Sequence, residues 1–236
     1  MQKLRRLGLL GGMSWESSVE YERIINRMVQ DHLGGVASAD LIIRSFNFAE
    51  IEELQAAARW RDAGAMLSIA ARELESAGAE AIVICTNTMH RIADDVEAVI
   101  GVPLIHIADV TADEVKTYQI STVALLGTRF TMEEDFYVGR LRNRHGLNVM
   151  VPDEEDRNTV HKVIYEELVR GVINPDSKKA FLDIVSKLAS QGAQGVIAGC
   201  TEIELLVTGD DVKIPYFPTA RIHAEEAARF SLGINR

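Results

Sequence analysis

The chain repeats itself. The segment "LGLLGGM" at residues 7–13 returns as "VALLGTR" at 123–129, 116 positions later. Cys85-Thr86, closing "GAEAIVICT", returns as Cys200-Thr201, closing "GAQGVIAGCT", 115 positions later. A short strand–helix pattern recurs in any α/β chain, but a matched Cys-Thr at the strand exit does not. Between the repeats, short apolar runs alternate with amphipathic periods. The runs predict strands at Leu7–Leu10, Asp40–Arg44, Ala81–Ile84, Leu104–Ile107, Val123–Gly127, Leu147–Val151, Gly195–Ala198 and Ile214–Phe217. Tyr21, Ile24, Ile25, Met28 and Val29 fall on one helical face, with Ser17 and Glu20 spaced for a capping box and Gly34-Gly35 as the stop. Strands alternating with helices mean βαβ units and a mainly parallel sheet. The expected fold is therefore α/β, with two pseudosymmetric lobes, each a four-stranded, mainly parallel sheet flanked by helices. The first lobe takes residues 1–103 and about 218–236, the second 104–217. The last helix, near Thr219 to Leu232, crosses back to the first lobe.

Bulk properties limit what such a protein binds. A chain of 236 residues buries a substantial core. A net charge of −10, with no basic stripe interleaved with aromatics, argues against nucleic acid. "MQKLRRLGLLGGM" has basic residues before an apolar run, but the run meets Gly11 and Gly12 too soon for a signal peptide and reads as a first strand. No apolar stretch is long enough to cross a bilayer. Two cysteines without a signal point to free thiols in a reducing cytoplasm.

In open parallel sheets, ligands bind beyond the carboxyl ends of the strands. Cys85 and Cys200 both stand there, and a pseudo-twofold relation between the lobes would face the thiols across a cleft. Thr86, Asn87, Thr88, Thr201 and Glu202 follow them and supply hydroxyls, an amide and backbone N–H groups suited to a carboxylate. Buried structural cysteines are the plainest alternative, but the matching polar sequels are not core chemistry. A disulfide would clamp the cleft shut. A zinc site recruiting His90 lacks a standard ligand spacing and a histidine in the second repeat. A nucleophilic hydrolase needs one cysteine and a base, not two equivalent thiols. Acid–base chemistry from both faces of one carbon remains, one thiolate removing a proton while the opposite thiol delivers one.

"GLLGGMSWES", "CTNTMH" and "GCTEIELL" together resemble the aspartate/glutamate racemase family, which is independent of pyridoxal phosphate, and the resemblance is nearest to its broad-specificity amino-acid racemase branch. It runs from Leu7 to about Phe230. It implies two pseudosymmetric α/β domains with the active site in the cleft between them, a cytoplasmic homodimer, an amino-acid substrate, no cofactor and no metal, and Cys85 and Cys200 as the catalytic acid/bases. A relative acting as a maleate isomerase or decarboxylase, and a non-catalytic amino-acid-binding protein, are the alternatives.

The chemistry of such a reaction sets further expectations. Without an electron sink, the site must neutralise the substrate α-carboxylate with preorganised donors, for which Asn87, Thr88 and Thr201 have the right types. Met13, after the first strand, is expected to wall the cleft. Glu202 either caps its helix or holds the substrate ammonium. His106 is expected on a strand as a structural histidine, the Asp153–Asp156 run as loop surface, and Lys162 on a solvated helix face. For the substrate side chain, Gln55 in "FNFAEIEELQ" is the expected contact. A neutral amide there predicts turnover of several amino acids rather than aspartate and glutamate alone, with Arg44 and Lys162 the basic residues to test otherwise.

Overall fold

The computed structural model describes residues 3–234 and divides into two compact units. One comprises the chain up to His106 together with the chain from His223; the other is Ile107–Ile222.

The first unit runs β1 (Leu7–Gly11), α1 (Trp15–Leu33), β2 (Leu41–Ser45), α2 (Phe48–Ala56), α3 (Trp60–Ser76), β3 (Ala81–Ile84), a 3₁₀ turn (Thr88–Ile92), α4 (Ala93–Glu97) and β4 (Leu104–Ile105). The second runs α5 (Ile107–Thr117), β5 (Thr122–Gly127), α6 (Arg129–Glu133), α7 (Val138–His145), β6 (Asn148–Met150), α8 (Glu154–Glu166), a 3₁₀ turn (Leu168–Arg170), α9 (Pro175–Ser190), β7 (Gly195–Gly199), α10 (Ile203–Leu206), a 3₁₀ turn (Gly209–Asp211) and β8 (Tyr216–Pro218). Helix α11 (Thr219–Leu232) starts in the second unit and continues into the first.

Each unit holds one four-stranded sheet, all pairings parallel. The orders are β2-β1-β3-β4 and β6-β5-β7-β8, the same arrangement twice. The central strands β1, β3 and β7 are buried throughout, as helices on both faces require, and this is why they read as unbroken apolar runs. Leu10, Leu67, Ile82, Ile84 and Met89 lie in one core; Leu126, Ile164, Phe181, Leu188 and Val196 lie in the other.

The repeats differ by one residue. Leu10 pairs with Ile84, so Cys85 follows level with Gly11; in the second sheet Gly127 pairs with Gly199, and Cys200 comes one residue further out. Gly199 is the inserted residue. A Cβ on it would stand 3.0 Å from Leu125 Cδ1 and 3.1 Å from Leu126 O, so a side chain there would press its neighbours aside by a few tenths of an ångström.

Helix α1 begins a turn earlier than the Ser17–Glu20 spacing predicts. Ser14 is the N-cap, its hydroxyl accepting from the Ser17 N–H, and Gly34 closes the helix. His106 lies one residue past β4 rather than on a strand, because Ile107 already opens α5. The Asp153–Asp156 run is not loop: Asp153 caps α8, and the next three acids occupy its first turn, where the helix dipole favours them.

Helix α11 is tied to the first unit at both ends of its later part. Ser231 Oγ donates to Arg5 O at 2.8 Å, and Arg5 N donates to Ser231 O at 2.9 Å. His223 Nε2 lies 2.7 Å from Ile105 O and its Nδ1 2.8 Å from the Tyr21 hydroxyl. A carbonyl only accepts, so Nε2 carries the proton and Nδ1 accepts from Tyr21. In the second unit, Asp109 on α5 takes a bidentate pair from Arg140 on α7 at 2.7 Å and a contact from His145 at 2.8 Å. Burial opposes ionisation of Asp109, but these donors hold its carboxyl below the usual range.

Candidate active site

In the first unit, Cys85 and its neighbours stand at the carboxyl ends of β1 and β3. After Gly11 the chain turns at Gly12, whose φ of +81° and close approach to the Phe46 backbone leave no room for a Cβ. Its N–H donates to Ser18 Oγ at 2.7 Å, which fixes the turn against α1. Met13 then enters the core beside Phe46 and Met89. Cys85 is 1% exposed; its N–H donates to Leu10 O at 2.9 Å, so the thiol is held at the strand exit. Burial pushes this thiol up. Thr86, Asn87 and Thr88 lead into the 3₁₀ turn, with Asn87 and Thr88 buried.

Three histidines that the sequence does not bring together cluster here. His90 Nδ1 donates to Thr86 O at 2.7 Å, bracing the residue after Cys85. Its ring meets those of His106 and His223 at centroid distances of 4.6 and 5.6 Å. All three are buried, and burial lowers His223 to about 4. Nothing local in the sequence signals this, because His223 arrives on a helix 202 positions from Tyr21.

Gln55 is 6% exposed and donates through Nε2 to Met89 Sδ at 3.1 Å, so its amide braces the turn after Cys85. Arg44 lies within the edge strand β2, donating to Ser45 O with its guanidinium 5.0 Å over the Phe46 ring.

In the second unit the matching strand ends are those of β5 and β7. Cys200 Sγ–H donates to Glu202 Oε2 at 2.9 Å, and Thr201 Oγ1 donates to the same oxygen at 3.0 Å. Glu202 is 7% exposed. Burial first, then the adjacent carboxylate, push the Cys200 thiol well above its ordinary value. Glu202 is thus the hydrogen-bond acceptor of the thiol, a role its sequence position did not disclose. Across the sheet, Thr128 caps α6 and Arg129 follows. The Arg129 N–H donates to His161 Nδ1 at 3.3 Å, and its Nη2 donates to Asn158 Oδ1 at 3.1 Å. Lys162 is 70% exposed and paired with Glu166 at 3.8 Å.

Both cysteines are free thiols. Among the described residues no group of three His, Cys, Asp or Glu side chains is arranged to hold a metal, and no helix is long and apolar enough to cross a membrane.

Residues 10–227 match the family model of the Asp/Glu/hydantoin racemases. The chain belongs to the Asp/Glu/hydantoin racemase family. A structure from Yersinia pestis assigned to the Asp/Glu racemases is 52% identical, with 97% of this chain and 100% of that chain covered and a TM-score of 0.93. An aspartate racemase homologue from Pyrococcus horikoshii OT3 is 34% identical, covering 98% and 99%, at a TM-score of 0.84. At 14% identity, glutamate racemase from Francisella tularensis, solved with D-glutamate, shares the fold over 96% of this chain and 80% of that one, at a TM-score of 0.67. For this racemase-family chain, the doubled α/β sheet and the family membership agree, and both support an amino-acid racemase.

Proposed function

We propose that the protein inverts the α-carbon of an amino acid without a cofactor, using Cys85 and Cys200 as a pair of acid/bases on opposite faces of the substrate. The observation that carries this reading is the repetition itself: two free thiols at the carboxyl ends of matching strands in two sheets of the same order.

The α-proton of an amino acid is weakly acidic, so the carbanion must be stabilised as it forms. Backbone N–H groups and the Asn87, Thr88 and Thr201 side chains are the donors that would neutralise the α-carboxylate. A thiol held protonated by burial is no base, and Glu202 resolves this for Cys200. The Cys200 proton passes to the Glu202 carboxylate, and the thiolate takes the α-proton. The Cys85 thiol then protonates the other face and is left as a thiolate. Return of one proton to Cys85 and loss of one from Glu202 restores the starting state. The reverse reaction runs the thiols in the opposite order.

A chiral assay on purified protein without added cofactor tests the reading. Racemisation is expected, and Cys85→Ala or Cys200→Ala is expected to reduce it by about 10²–10⁴-fold. Cys85→Ala keeps the Cys200–Glu202 pair, so it still exchanges the α-proton of one enantiomer with deuterated solvent, and Cys200→Ala, left with the buried Cys85 thiol, exchanges far more slowly. Near-normal racemisation by either variant would overturn the two-thiol mechanism; alkene isomerisation or carbon dioxide release would replace the reaction.

A further inference from the structure

We infer that His90 is a positioning residue: held by the rings of His106 and His223, it sets the direction of the Thr86–Asn87 peptide beside Cys85. The catalytic consequence rests on the racemase reading, but the ordering of this turn does not.

The ring of His90 is fixed from behind. His223 is held through both nitrogens, with Nε2–H donating to Ile105 O at 2.7 Å and Nδ1 accepting from the Tyr21 hydroxyl at 2.8 Å. Turning that ring would leave buried polar atoms unpaired, which is costly. His106 and His223 stand at 64° and 65° to the plane of His90, with centroids 4.6 and 5.6 Å away, the edgewise packing that aromatic rings favour. His90 is 2% exposed. A ring so enclosed keeps one orientation, and that orientation presents its Nδ1–H to Thr86 O at 2.7 Å.

The bond reaches the chemistry through the backbone. In a planar trans peptide the C=O and N–H point opposite ways. The oxygen held by His90 therefore fixes where the Asn87 N–H points. That N–H is a backbone donor of the kind assigned above to the α-carboxylate, onto which negative charge spreads as the α-proton leaves. Such donors act by being aimed in advance, and a misaimed one loses most of its effect.

The second repeat shows that the device is particular to the first. Thr201, the counterpart of Thr86, accepts at its oxygen from the Glu204 N–H at 3.3 Å, a donor in the helix that follows it. The counterpart of His90 is Leu205, which is exposed. One threonine carbonyl is thus held by its own turn, the other by a side chain braced from the last helix. Three imidazoles cost more to bury than hydrocarbon side chains filling the same space, so packing alone does not account for them.

Two readouts on the full chain test this in His90→Phe, which keeps a ring and removes the donor, and in His90→Asn, whose Nδ2 stands where Nδ1 stood. The first is racemisation of whichever amino acid the chiral assay finds turned over fastest. His90→Phe is expected to lower kcat/KM about 100-fold, more through kcat than through KM, and His90→Asn to stay within about tenfold of the wild type. Equal losses in the two variants, or a His90→Phe within about threefold of the wild type, would overturn the inference. The second readout is deuterium uptake at backbone amides. His90→Phe is expected to speed exchange in residues 86–92 by about tenfold or more while β1 and β3 keep wild-type rates, and His90→Asn to restore the turn. Unchanged exchange in the turn, or faster exchange through β1 and β3 alike, would show that the ring merely packs. If the wild type racemises no amino acid, the two-thiol mechanism fails, and the exchange pattern alone decides whether His90 orders the turn.

Discussion

Cys85 and Cys200 face unequal surroundings although their sequence settings match. Cys85 is buried with its thiol 3.9 Å from the Val83 carbonyl, while Cys200 donates to a buried carboxylate. Glu202→Gln should therefore damage the two directions of proton transfer unequally. Loss of the proton acceptor should lower turnover at neutral pH by about 10–100-fold. It also removes the negative charge that helps raise the Cys200 thiol, so that thiol ionises more readily and activity recovers as pH rises. A pH–rate profile in which the variant keeps the wild-type shape, merely scaled down, would contradict a proton-accepting role.

His223 gives a second residue-scale expectation. It is buried and neutral, with its pKa lowered from 6.5 to about 4 chiefly by burial, opposed by its bond to Ile105 O and the charge of Glu226. The unfolded chain takes up a proton near pH 6.5 while the folded chain resists until about 4. The stability His223 contributes is therefore full above pH 6.5 and lost as pH falls toward 4, on the order of 3 kcal/mol in all. Urea unfolding midpoints across that window should fall, and fall less steeply in His223→Gln, whose amide can still serve Ile105 O and the Tyr21 hydroxyl.

At the scale of elements, strands were legible because a parallel strand covered on both faces needs an unbroken apolar run, and Ala81–Ile84 is nothing else. The two cysteines were legible for a related reason: the strand's end marks the only place where such chemistry meets solvent or substrate. Caps were less so. Ser14, Ser17 and Ser18 are all competent near the start of α1, and periodicity does not say which one the turn at Gly12 brings into place. The Gly12 turn itself carries a prediction. Gly12→Ala would set a Cβ 2.2 Å from Phe46 O at a positive φ. Combined crowding and backbone strain should cost about 2–4 kcal/mol, read as a lower urea midpoint, and activity should fall further as the Met13 loop shifts.

For the whole molecule, the division of the chain is asymmetric. The second unit is one continuous stretch, Ile107–Ile222, with its own buried core. The first is assembled from two stretches, and residues from His223 onward supply its bonds to Arg5, Tyr21 and Ile105. Truncation after Ile222 should thus speed amide exchange in β1, β3 and α1 far more than in β5 and β7. Comparable exchange in both sheets of the truncated chain would show that α11 is dispensable to the first.

The same asymmetry has a meaning for biogenesis. The part of the first unit up to His106 is synthesised first, yet it stays without the helix that closes over Tyr21 and Ile105 until the whole of the second unit has been made. The second unit has all its parts in hand roughly a dozen residues sooner, so the usual N-to-C order of domain completion is reversed. Throughout synthesis the apolar seat for α11 stands open, as a surface that a nascent-chain chaperone would meet.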